Sequence, residues 1–267
     1  MPLQQTESGV SLYYESFGAG RAIIFTSSGN ASHAMWDEQV AHFAPDHLTV
    51  TYDWRGTGNS DKPASGYTGE LAADDLLSLA RAVSSKPAVL VGHGMGAHIS
   101  LLAAIKAPEQ VRGLVLANGG PWYTCTRDGV AGGMSEEFLA IYEQGARSYP
   151  DILAEVAQNW MFARPPSAAL AHATIMDGLT WSQHVSNEYN KSMWDIDFRG
   201  SLEQVQIPAL VIHGRHDRKQ RYSGAPYLAE RLPQGALVTL EHSAHCGHIE
   251  EAAAWNRALA EFLAGLP

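Results

Sequence analysis

Two cysteines in 267 residues are too few for a disulfide framework, so Cys125 and Cys246 read as free thiols of a reducing compartment. No apolar run approaches the ~18 residues of a membrane span. The opening Met1-Pro2-Leu3-Gln4-Gln5-Thr6-Glu7 lacks the basic and apolar regions of an export signal, and the expected location is cytoplasmic. Positive charge is scarce: 18 Lys and Arg face 28 Asp and Glu, for a net charge of -10. Nucleic acids and anionic membranes demand a concentrated basic surface, which this chain does not supply. The expected partner is a small molecule, neutral or cationic. Internal repeats and low-complexity segments are also missing, and oligomeric state leaves no mark in the sequence.

What is present is an alternation of short Val-, Ile- and Leu-rich runs with helical patterns, the signature of a mostly parallel sheet covered by helices on both faces. Strands are expected near Val10–Ser16, Ala22–Thr26, Leu48–Asp53, Ala88–Val91, Gly113–Ala117, Ala209–His213 and Ala236–Glu241. Apolar spacings of three and four predict helices near Trp36–Phe43, Glu70–Val83, Ala97–Lys106, Ala225–Arg231 and Glu250–Leu263. The first two strands, joined at Gly18-Ala19-Gly20, read as an antiparallel hairpin. From about Pro121 to Gly200 the rhythm breaks into helical patterns rich in Trp, Met, Tyr and Phe, interrupted at Gly132-Gly133 and Pro165-Pro166. This stretch reads as a helical cap, 121–200, inserted into a core made of 1–120 and 201–267. Its Trp122 and Trp160 are candidate substrate contacts, although such residues also serve simply to pack a cap on a core.

One more absence carries chemistry. The run Val91-Gly92-His93-Gly94-Met95-Gly96-Ala97 follows a buried strand and opens a helix, the layout of a G-x-S-x-G nucleophile elbow, but glycine stands where the serine would be. Further on, Asp217 follows the strand Ala209–His213, and His245 follows the last strand. Ser28-Gly29-Asn30 follows an early strand, and Asp53-Trp54-Arg55-Gly56-Thr57-Gly58-Asn59-Ser60 follows the next. Together these motifs resemble the α/β-hydrolase family along essentially the whole chain: the order nucleophile, acid, histidine; an oxyanion loop; and a D-x-R-G-x-G-x-S turn. The resemblance implies an α/β-hydrolase fold and an enzyme acting on a small, partly apolar ester or lactone without a cofactor.

Each implied role has a physical basis. A histidine ordinarily titrates near neutral pH, so His245 can serve as general base, while Asp217 would hold its tautomer. The backbone N–H groups of Met95 and Asn30 would face a developing oxyanion. Gly94 marks the nucleophile position. The family's ending places histidine five residues before a glutamate opening the last helix, which His245 and Glu250 match; His248 is the alternative base. A metal reading of His242, His245 and His248 finds no matching carboxylate spacing. Cys246 is adjacent to His245 in sequence, so the two side chains point apart. His93 is expected beneath the turn and His98 one turn along the helix.

Four readings of the glycine follow. In the first, a serine hydrolase has had its nucleophile replaced, with the remaining groups giving residual catalysis. In the second, the His245–Asp217 dyad acts directly on water or an acidic substrate, as in the cofactor-independent dioxygenases that cleave hydroxyquinolone rings, which this chain resembles more weakly; Met95 stands where that subgroup tends to have a second histidine, leaving His93 or His98 to bind substrate. A non-catalytic ligand-binding protein is the third reading. The fourth takes Gly92-His93-Gly94-Met95-Gly96-Ala97 as a dinucleotide fingerprint, but Leu116-Ala117-Asn118 lacks the acidic residue that would hold the ribose.

Overall fold

The computed structural model describes residues 2–124, 126–127, 130–143 and 148–267; Cys125 lies outside the described residues. Eight strands form one sheet in the order β1-β2-β4-β3-β5-β6-β9-β10. They are β1 (Leu3–Gln5), β2 (Ser11–Phe17), β3 (Ala22–Thr26), β4 (Leu48–Tyr52), β5 (Ala88–His93), β6 (Val111–Ala117), β9 (Ala209–Gly214) and β10 (Gly235–Leu240). Only β1 and β2 run antiparallel to their neighbours; the rest of the sheet is parallel. A separate small ladder pairs β7 (Thr126–Arg127) with β8 (Val130–Ala131).

All residues of β3 and β5 are buried, because helices cover both faces. On one face α2 (Gly69–Val83) and α3 (Met95–Lys106) set Leu76, Leu79 and Ile99 against Ile24, Leu90 and Leu114. On the other, α1 (Asp37–Phe43) and α10 (Ala252–Gly265) gather Trp36, Phe43, Trp255 and Leu259 around Phe25, Val91 and Ile212. The helix α8 (Gly224–Arg231) precedes β10, and the single turn α9 (Gly247–Glu250) precedes α10.

All seven strands expected from the sequence are present, but the expected hairpin is not. The strand β2 pairs antiparallel with β4, and β4 separates it from β3. Gly18 and Gly20 take φ of 79° and 112°, and a Cβ on Gly18 would lie 2.1 Å from the Ala44 carbonyl oxygen. These glycines carry the chain across the end of α1 rather than back along β2. Two-residue periodicity cannot tell a hairpin from this crossing, since both bury the same faces.

Between β6 and β9 lie α4 (Glu136–Glu143), α5 (Tyr149–Asn159), α6 (Ala168–Gly178) and α7 (Gln183–Met193). The last three each start at a serine, Ser148, Ser167 and Ser182, whose side chain accepts a backbone N–H of the first turn. The segment is tied to the loops beyond the sheet: the Trp181 indole N–H donates to the Ala31 carbonyl at 2.9 Å, Gly58 N–H to Thr180 at 3.0 Å, and Cys246 N–H to Met161 at 2.9 Å.

Candidate functional site

The turn after β5 fixes the centre of the site. Gly94 has φ 56° and ψ −119°, a conformation that L side chains rarely adopt, and Met95 begins α3 immediately after it. The three glycines of Gly92-His93-Gly94-Met95-Gly96 are not equivalent. A Cβ on Gly92 would lie 2.2 Å from the Gly96 carbonyl oxygen, and one on Gly96 would lie 2.2 Å from the Ser27 carbonyl oxygen, so backbone forbids both. A Cβ on Gly94 would meet only side-chain atoms, Ser28 Oγ at 2.6 Å and His245 Nε2 at 3.2 Å.

The parallel strands deliver the other groups to the same edge of the sheet. His245 donates from Nδ1 to Asp217 Oδ2 at 2.8 Å, and both side chains are buried. Asp217 Oδ2 also accepts from Asn118 Nδ2 at 2.8 Å, while Oδ1 accepts the backbone N–H of Lys219 at 2.9 Å and of Gln220 at 3.0 Å. Burial pushes the Asp217 carboxyl up, but the charge and hydrogen bond of His245, with His213 3.5 Å away, outweigh it and hold the carboxyl well below the usual range. Burial lowers His245 below its ordinary value of 6.5; Asp217 opposes this and Lys219 reinforces it. The ring is therefore neutral at neutral pH, and its Nε2 has no partner among the described residues. Glu250 braces the loop that carries it, accepting Ala244 N–H at 2.8 Å and Ala163 N–H at 2.8 Å.

Two adjoining cavities share Ser28, Gly29 and Asn30 as a wall. One of about 30 Å³ lies against Gly94, Met95, Tyr123, Phe138, Lys219 and His245. The other, about 240 Å³, is lined mainly by apolar groups such as Met35, Met161, Leu170 and Ile249, with Asp177 and His248. Asn30 holds φ 59°, and its Oδ1 accepts the Tyr149 hydroxyl at 3.0 Å.

Thus Gly94, Met95, Asn30, Asp217 and His245 come together. Trp122, Trp160, His93 and His98 do not line either cavity. His93 lies under the turn and donates from Nε2 to the His245 carbonyl at 2.7 Å. His98 donates from Nδ1 to the Gly94 carbonyl at 3.0 Å. Trp122 is buried with its ring against Tyr227, and Trp160 sits behind Phe138, with ring centroids 5.4 Å apart. Of the three spaced histidines, His242 is exposed while His248 is buried against Trp36, so they do not converge on a metal. The sequence does not mark Asn118 as a partner of Asp217, because its position at the end of β6 says nothing of a contact 99 residues away. The sequence marks Ser28 only as part of a loop, and no motif marks Lys219.

Gly94→Ser places a side chain at positive φ and 2.6 Å from Ser28 Oγ. The variant is expected to be less stable by about 1–3 kcal/mol in chemical denaturation, with part of the loss recovered in Gly94→Ser/Ser28→Gly. Equal stability of Gly94→Ser and the wild type would show that the turn accommodates a serine freely.

The family profile described as "alpha/beta hydrolase fold" matches residues 21–252. The 3-oxoadipate enol-lactonase 2 of Acinetobacter baylyi is 28% identical over 261 residues, covering 95% of this chain and 93% of that one. In three dimensions, the esterase EaEST of Exiguobacterium antarcticum superposes with a TM-score of 0.92 at 24% identity, covering 98% of this chain and 99% of that one. The enol-lactonase of Burkholderia xenovorans LB400 does so with 0.82 at 22% identity, covering 98% and 100%. With sheet order, loop positions and profile in agreement, the chain belongs to the alpha/beta hydrolase fold family of enzymes.

Proposed function

We propose that the protein hydrolyses a small, partly apolar ester or lactone, with His245 as general base and Asp217 as its orienting partner. The observation that carries this reading is the free Nε2 of a neutral, buried imidazole, held by Asp217 on its other nitrogen and facing the space beside Gly94. Met95 opens α3, where the first backbone N–H groups have no acceptor within the helix, and with Asn30 it supplies the oxyanion donors. Residues 121–200 act as the cap, and the 240 Å³ cavity takes the apolar part of the substrate. The relative from Acinetobacter baylyi, named an enol-lactonase, supports the lactone side. Oxygenolytic ring cleavage draws less support, because the histidines it would enlist to bind substrate, His93 and His98, are both bonded to backbone away from the cavities.

A panel of activated esters and lactones, assayed from pH 4 to pH 9, tests the reading. A base that must be neutral gives activity that persists through neutrality and falls on the acid side. Because His245 is lowered, the acid limb should lie below 6.5. Hydrolysis with its acid limb above 6.5, or O₂ uptake with a hydroxyquinolone in place of hydrolysis, would overturn the assignment.

A further inference from the structure

We propose that Ser28 takes over part of the task of the missing nucleophile: its hydroxyl and His245 Nε2 hold between them the water that attacks the substrate carbonyl. The inference rests on the hydrolytic reading above and says how that site works without a side chain at residue 94.

Ser28 Oγ and His245 Nε2, both beside Gly94, are buried polar atoms without a hydrogen-bond partner among the described residues. They do not bond each other, yet both lie within hydrogen-bond reach of one region, since the point a Cβ on Gly94 would occupy is 2.6 Å from the hydroxyl and 3.2 Å from the imidazole nitrogen. Ser28 is 1% exposed, and its loop is fixed by the contact of its N–H with Met35 Sδ at 3.2 Å. A buried hydroxyl without a partner weakens a fold, and an inert wall would be better served by alanine. A water needs two or more polar partners to be held inside a protein, and these two atoms provide them at the edge of the cavity that Met95 and Asn30 also line. His245 and His213 keep Asp217 ionised, and Asn118, Lys219 N–H and Gln220 N–H hold its carboxylate in place, so the imidazole can accept a proton while Ser28 holds the oxygen.

The step balances without an acyl-enzyme. A lone pair of the water oxygen forms the new bond to the carbonyl carbon as Nε2 takes one of its protons, and the carbonyl π pair moves onto oxygen. Collapse of this intermediate breaks the bond to the leaving oxygen, which takes the proton back from Nε2. One water is consumed, and an acid and an alcohol or enol are released. Ser28 is accordingly a positioning residue that neither gains nor loses a covalent bond.

The test pairs crystal structures of the wild type and Ser28→Ala with steady-state kinetics of both on the ester and lactone panel. The expected result is an ordered water within hydrogen-bond distance of Ser28 Oγ and His245 Nε2, lost in the variant. With it should come a fall in kcat of roughly ten- to a hundredfold and a KM changed by less than about threefold. A role in packing alone would leave kcat untouched. Unchanged kcat, no water between the two atoms, or a fluorophosphonate adduct mapped to Ser28 by peptide mass spectrometry would each overturn the proposal, the last by making Ser28 the nucleophile itself. If the wild type hydrolyses none of the panel, the hydrolytic reading fails, and the crystallographic water decides the role of Ser28 independently.

Discussion

Replacing His245 by alanine is expected to lower kcat by at least ~10³-fold on any ester or lactone the protein hydrolyses, with little change in KM. The imidazole is the group whose free nitrogen faces the space beside Gly94, and among the described histidines none is placed to substitute: His93 and His98 are bonded to backbone, and His248 is buried against Trp36. Asp217→Asn should cost a comparable factor. An amide can present its N–H to Nδ1 and so favour the wrong tautomer, and it cannot stabilise the imidazolium that forms when the base takes a proton. Circular dichroism separates lost chemistry from lost fold, because Asp217 also accepts three bonds from Asn118, Lys219 and Gln220. Activity of His245→Ala within tenfold of the wild type would remove the dyad from the mechanism.

Acid should unfold the protein well before its surface carboxylates are protonated. Burial is the leading cause that holds His93, His98, His245 and His248 below 6.5, His248 at about 3. A histidine depressed in the folded state binds its proton first in the unfolded chain. Its contribution is therefore complete above about pH 6.5 and is lost as the pH falls from there toward the folded value. Each such ring weakens folding by up to about 1.4 kcal/mol per pH unit across that window. Asp217, held low, adds a loss of the same sign at more acidic pH. Urea midpoints measured from pH 7.5 down to pH 4.5 should fall steeply, and His248→Phe should flatten the slope, since neither ring nitrogen of His248 has a partner to lose. A midpoint that holds constant to pH 5 would contradict neutral burial of the cluster.

The sheet was legible because its strands are continuous apolar runs, and the order Gly94, Asp217, His245 placed three loops at one edge. What the sequence hid is spatial. The hairpin expected at Gly18-Ala19-Gly20 failed because β4 inserts beside β2, a pairing that periodicity does not encode. Trp122 and Trp160 stand out by residue type, but the two indoles fill the interior behind the site, while Tyr123, Phe138, Ser28 and Gly29 border the smaller cavity. Asn118 and Lys219 carry no motif, and their value arises only once β6 and the loop after β9 are side by side.

The burial of Cys246 next to the base bears on how the protein meets oxidants and electrophiles. Desolvation pushes its thiol up, far from the thiolate form that alkylating agents and peroxide attack. Cys246 borders the larger cavity, but with its thiol held protonated the oxidisable sulfur atoms of the site are the thioethers of Met35 and Met161 in that cavity and of Met95 and Met134 in the smaller. Conversion of one of these to a sulfoxide would put a strong dipole into an apolar chamber, so oxidative damage would register as weakened substrate affinity while the imidazole and its carboxylate remained intact.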